Sequence, residues 1–139
     1  MKHSIIIIGI ILTLGWSSSP NFIGEVLYYS AGFRFFPAGS ALLSMESDSL
    51  GDEMVYVLTS SVRTNAFLSN FYEVRDVVKS WLDPDNLSLK KTVQTIREGR
   101  HHRDHEASIL GDSLAISEKN IIKIPGEVYD PVAFVYFLR

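Results

Sequence analysis

Met54-Val55-Tyr56-Val57-Leu58-Thr59 is the stretch on which the fold turns. It is rich in β-branched and aromatic residues and holds no glycine, proline or charge, which predicts a strand. The strand continues through Ser60, Ser61 and Val62 towards Arg63. On its N-terminal side, Ser47-Asp48-Ser49-Leu50-Gly51-Asp52 reads as a polar turn. Before that, residues 40–45 alternate, with Ala41, Leu43 and Met45 on one face. Phe36-Pro37-Ala38-Gly39 reads as turn punctuation, and residues 25–35 as an aromatic strand. On the C-terminal side, residues 66–71 suit a short helical turn, and 72–82 alternate around Val74, Val77 and Trp81. Asp83-Pro84-Asp85-Asn86 is a strong turn, because proline fixes φ while Asp and Asn tolerate turn geometry. Residues 87–98 pair back as a hairpin arm. Gly99-Arg100 turns into a strand over 101–110, Gly111-Asp112 turns again, and 113–116 and 121–124 make short strands before Pro125-Gly126.

The last segment changes character. Asp130 is a good N-cap and Pro131 suits the first helical position, so a helix is predicted from there. It is apolar almost all round and must be buried against something. The chain stops at Arg139 inside that helix without a cap or polar tail, and this end reads as cut.

The first twenty residues set the address. Met1-Lys2-His3 is a short basic head, residues 4–14 are an apolar run, and Gly15-Trp16-Ser17-Ser18-Ser19-Pro20 is a small-residue exit. That is the layout of a secretory signal peptide, predicted to be removed after Ser17 or Ser18. The domains are then a leader over 1–17 and one β-rich domain over 18–139. A membrane-spanning helix needs ~20 apolar residues, about twice the run present, so no stable span is expected after cleavage. No cysteine follows the run, which excludes lipid attachment as a lipoprotein. Export to the periplasm or cell envelope of a bacterium removes most nucleotide chemistry and genomic nucleic acid from consideration.

Composition agrees. The chain has 139 residues, with 13 Lys+Arg against 16 Asp+Glu and a net charge of −3. Losing Lys2 makes the remainder slightly more acidic, which leaves no basic surplus for nucleic acid. With no cysteine, 46% hydrophobic and 12% aromatic residues, the domain must be held by burial alone.

Three segments together resemble the bacterial exported family labelled domain of unknown function 3108. Leu27-Tyr28-Tyr29-Ser30-Ala31-Gly32-Phe33 with Pro37-Ala38-Gly39-Ser40-Ala41 is similar to its opening hairpin. Phe71-Tyr72-Glu73-Val74-Arg75-Asp76 resembles its central segment. Tyr129-Asp130-Pro131-Val132-Ala133-Phe134-Val135-Tyr136-Phe137-Leu138-Arg139 resembles its aspartate-initiated helix. The resemblance runs from Phe22 to Arg139. It implies a strongly curved antiparallel sheet or incomplete β-barrel with a short C-terminal helix, of which this chain is the N-terminal half, and it implies no activity.

Candidate sites follow from side-chain chemistry. His101-His102-Arg103-Asp104-His105-Glu106 packs three imidazoles and two carboxylates into one strand, and His101, His102 and His105 could ligate a divalent ion. Arg103 between His101 and His105, and the lack of a separate third ligand, weigh against it. No catalytic residue is assigned. There is no Gly-x-Ser-x-Gly elbow, Ser88 and Lys91 project to opposite faces of a strand, and Asp83 and Asp85 are explained by their turn. No cofactor is implied. Tyr28, Phe33, Phe35, Tyr72, Trp81 and Tyr136 are candidates for an apolar binding face, since a curved sheet lined with such residues can cradle a lipid or other apolar molecule. The alternative is that they form the core. The expected function is a non-enzymatic exported binding or envelope-assembly factor, with a lipid, another apolar ligand or an envelope protein as partner. The alternatives are a metal-dependent envelope enzyme using the histidines and a fragment without independent function.

Overall fold

The computed structural model describes residues 21–111, 113–117 and 120–138. The predicted leader over 1–17, Asp112 of one predicted turn and the terminal Arg139 lie outside the described residues. The chain folds into β1 (Val26–Phe33), β2 (Phe36–Leu50), β3 (Glu53–Thr64), helix α1 (Ala66–Ser69), β4 (Arg75–Leu82), β5 (Leu89–Glu98), β6 (His101–Leu110), β7 (Leu114–Ser117), β8 (Asn120–Lys123) and helix α2 (Phe134–Phe137). All eight strands form one antiparallel sheet in sequential order, and the sheet does not close on itself. Each strand pairs with the next through a short connection, as period-two segments separated by turn residues must.

Most turns fall where glycine and Asx residues put them. Asp83 Oδ1 accepts from Asp85 N at 2.9 Å, and Asn86 Oδ1 accepts from Ser88 N at 2.9 Å. Gly99 turns at φ 55°. Two boundaries move. The β1–β2 turn sits at Arg34-Phe35, with Arg34 at φ 55°, so Phe36-Pro37-Ala38-Gly39 is extended and belongs to β2. Pro37 is tolerated there because it pairs beside a β-bulge at Ala31/Gly32, where the ladder is interrupted. The second turn contracts to Gly51-Asp52, since β2 runs on to Leu50.

Registers place Met45, Leu58 and Ser80 in one row and Leu27 beside Leu43 in the next, on the face called inner here. The core sits on that face: Leu43, Met45, Leu58, Leu82 and Leu87 pack with Ala133 and Tyr136, flanked by Phe22, Leu27, Tyr56, Leu89 and Val132. Tyr136 is 1% exposed, and Phe22 meets its ring edge-on at 5.3 Å. β3 is also buried on its outer face, at Val55 and Val57.

The C-terminal helix starts later than predicted: residues 131–133 form a turn, and Ala133, not Asp130, holds the N-cap position of α2. Asp130 closes the preceding turn, with Oδ1 accepting from Val132 N at 2.6 Å, and its other oxygen accepts a hydrogen bond from the Ser80 hydroxyl in the core. That bond pins the segment to β4 and lets only one side of α2 turn inward. Ala133 and Tyr136 are buried in the core, so the segment packs against the sheet as expected, but only on one side: Phe134, Phe137 and Leu138 stay exposed.

Candidate functional site

The segment 130–138 covers only part of the inner face. Beyond the Leu43 row, towards the β1–β2 turn, the next row runs Tyr29, Ala41, Val62. There the sheet opens into a trough of about 260 Å³ lined by Tyr29, Ala31, Ala41, Val62, Leu68 and Val74 among others. Small side chains make the room. At Gly39 a Cβ would lie 2.4 Å from the Arg63 carbonyl oxygen, so only glycine lets the β2 and β3 backbones close up there. Leu68 comes from α1, whose first turn is fixed by Asn65: its Oδ1 accepts from Leu68 N at 2.8 Å. Thr64 Oγ1 accepts from Val74 N at 3.0 Å and ties the end of β3 to the start of β4. The result is an apolar slot with polar groups only at its margin, which suits an aliphatic or aromatic group rather than a reacting one.

A second cavity, of about 360 Å³, lies at the opposite end of the sheet between Leu50, Glu53, Asp83, Asn86, Lys90 and Glu127. Its charges already satisfy one another. Lys90 Nζ sits 2.8 Å from Glu53 and 3.2 Å from Asp83, and Asn86 donates to Glu127 at 2.8 Å. The hydrogen bond to Glu53 leads in holding the Lys90 ammonium above its ordinary value, against the opposing effect of burial. This is a clasp between the β2–β3 and β4–β5 turns.

The six aromatics singled out from sequence do not share one surface. Tyr136 is core. Trp81 projects from the outer face, as alternation with Ser80 and Leu82 requires, with the Lys91 ammonium 5.5 Å from its ring centre. Tyr28 is also on the outer face, in register with Leu42. Phe35 stands at the tip of the β1–β2 turn, 95% exposed, and Tyr72 lies against Gly99 at the same end of the sheet. Phe33 ends β1, and its side chain lies outside the described residues. The trough is built instead from the neighbours of these positions, Tyr29, Ala41 and Val62. The run Ala38-Gly39-Ser40-Ala41 carried the signal, since small residues in a strand leave space.

The histidines divide as alternation predicts. His105 shares the inner row of Gln94, while His102 pairs beside Arg97 on the outer face. The two carboxylates of the same run are engaged elsewhere, Asp104 with Arg97 at 2.8 Å and Glu106 with Lys91 at 2.7 Å. Among the described residues no group of three or more His, Cys, Asp or Glu side chains converges as a metal site. Arg75 pairs with Glu73 at 2.7 Å at the surface. No helix among the described residues is long and apolar enough to cross a membrane.

No curated protein and no solved structure matches the chain. The family model described as "Protein of unknown function (DUF3108)" matches residues 27–139, from the second residue of β1 through α2 and beyond. With nearly the whole β-domain inside that match, the chain belongs to the DUF3108 family.

Proposed function

We propose that this protein is an exported, envelope-associated binding or assembly factor, not an enzyme, and that the inner-face trough holds an acyl chain or another apolar group. The observation that carries the reading is the trough itself: beside a dense core, the same strands leave Tyr29, Ala41, Val62 and Leu68 around an open slot. Burial of apolar surface contributes roughly 25 cal/mol per Å². A slot of this size therefore favours part of one chain, not a whole lipid. The signal-peptide layout of residues 1–17 supports export, and the apolar lining of the trough supports binding without chemistry.

The test is uptake of the neutral fluorescent probe 1-N-phenylnaphthylamine, together with mass spectrometry of organic extracts of the purified protein. The expected outcome is enhanced, saturable fluorescence that weakens at least about ten-fold in Val62→Asp, whose half-exposed position leaves the core untouched. No uptake and no extracted lipid would remove the reading, as would equal uptake by the variant.

A further inference from the structure

A sequential meander brings every second connection to the same end of the sheet. The β1–β2 turn, the β3–β4 segment and the β5–β6 turn share the end where the trough opens. That end carries large apolar rings in water: Phe35 at 95% and Phe36 at 72% exposure on the first turn, Phe67 at 65% and Phe71 at 77% around α1. Phe67 and Phe71 meet edge to face at 5.5 Å. The three connections form one rim. Asn65 N donates to the Ala38 carbonyl at 2.9 Å, and its side-chain amide reaches the Pro37 carbonyl, which ties α1 to the first turn. The Tyr72 ring lies against Gly99, and Gly99 N donates to the Glu73 carbonyl at 2.7 Å, which ties in the third.

Charge is sorted the same way. Every arginine among the described residues lies in this half of the sheet and together they outnumber its carboxylates Glu73, Asp76, Glu98 and Asp104, whereas Asp48, Asp52, Asp83 and Asp85 gather at the other end with Lys90 and Lys91. Arg63 and Arg75 stand directly opposite one another in the β3–β4 register. Like charges so placed repel. Glu73 answers Arg75, but no ion pair among the described residues reaches Arg63, whose Nε donates only to Ser40 at 3.3 Å. The two guanidiniums line a cavity of about 710 Å³ with Asn65 and Ser69. Unanswered arginine beside exposed phenylalanine matches a lipid headgroup layer, where rings settle at the water boundary and guanidiniums take phosphates bidentately. A buried protein interface would instead leave these charges to be desolvated.

We infer that this rim docks the protein on an anionic lipid surface, its acidic end held away from the membrane. The inference goes beyond the trough reading, because docking needs only the rim. The leader-cleaved protein recovered after export is sedimented with phosphatidylcholine vesicles, with and without phosphatidylglycerol, at about 0.1 M salt. Binding to the anionic vesicles is expected to exceed that to the zwitterionic ones by about ten-fold or more. The surface variants Phe35→Ser/Phe36→Ser and Arg63→Gln/Arg100→Gln should each lose about ten-fold, and Asp48→Asn/Asp52→Asn should lose none. Equal binding to both vesicle types, binding to neither, or unchanged binding by both rim variants would overturn docking. So would phenylalanine variants that abolish a dimer while leaving vesicle binding intact. Probe uptake without vesicles reads the trough separately, so either proposal can fail alone.

Discussion

The inner face of this sheet has two halves made by the same strands and finished differently. In one, Leu43, Met45, Leu58 and Leu82 are sealed by Ala133 and Tyr136, and Asp130 is buried against Ser80. In the other, Tyr29, Ala41 and Val62 face an open slot. Strand propensity does not separate them, since β2 and β3 run through both. The difference is which half the C-terminal segment reaches, and how large the side chains are. The dense core lies under the C-terminal segment, and the open slot lies where small residues line the sheet beyond it.

The largest expected effect tests the seal. Tyr136→Ala should destabilise the domain by roughly 3–5 kcal/mol, because it empties the centre of the core. Val62→Ala in the open half should cost under about 1 kcal/mol, since its side chain is already in partial contact with water. Urea unfolding of the two variants measures the contrast, and equal losses would erase the distinction between the halves. Next is the pin. Asp130→Ala should cost about 1–3 kcal/mol, as it leaves the Ser80 hydroxyl and the Val132 N–H without their acceptor. Protease cleavage confined to residues beyond 128 would show the segment released while the meander holds.

The smallest effect lies at the acidic end. Burial by itself would raise Asp83, but the Asp85 N–H and the Lys90 ammonium outweigh it and hold the carboxyl below its ordinary 3.8. A depressed acid contributes stability that is complete above its unfolded value and lost as pH falls through the folded one. Lys90, raised above 10.5, contributes below that value and loses its contribution as pH rises through the raised one. The clasp is therefore flat from about pH 4 to 10 and weakens outside that window. Unfolding midpoints followed between about pH 2.5 and 5 should decline less steeply in Asp83→Asn than in the natural sequence. An unchanged acid limb would mean the clasp contributes nothing.

Much of the meander was legible. β-branched and aromatic composition located β3, alternation located parts of β2 and β4, and the turns at Asp83-Pro84-Asp85-Asn86 and Gly99-Arg100 set off β5 and β6. The β1–β2 turn was misplaced because Pro37 and Gly39 resemble turn residues, while the bulge that lets a strand keep Pro37 depends on pairing with β1. The binding aromatics were chosen by residue type, and type does not say which side of a sheet a ring occupies relative to a distant segment. The trough residues Ala41 and Val62 were passed over because the small-residue run 38–41 marks space in a strand only once the register sets Val62 beside Ala41.

What the sequence by itself determined is the run of antiparallel strands, the family and the presence of a short C-terminal helix, because period-two patterning and turn chemistry act over a few residues. Only the tertiary structure decided the rest: that the Ser80–Asp130 bond sets the C-terminal segment over one half of the inner face, and that aromatics and arginines from three separate connections meet at one end. Both depend on residues that are distant in the chain, 50 positions apart for Ser80 and Asp130. Strand pairing across the whole meander, not local preference, brings such groups together.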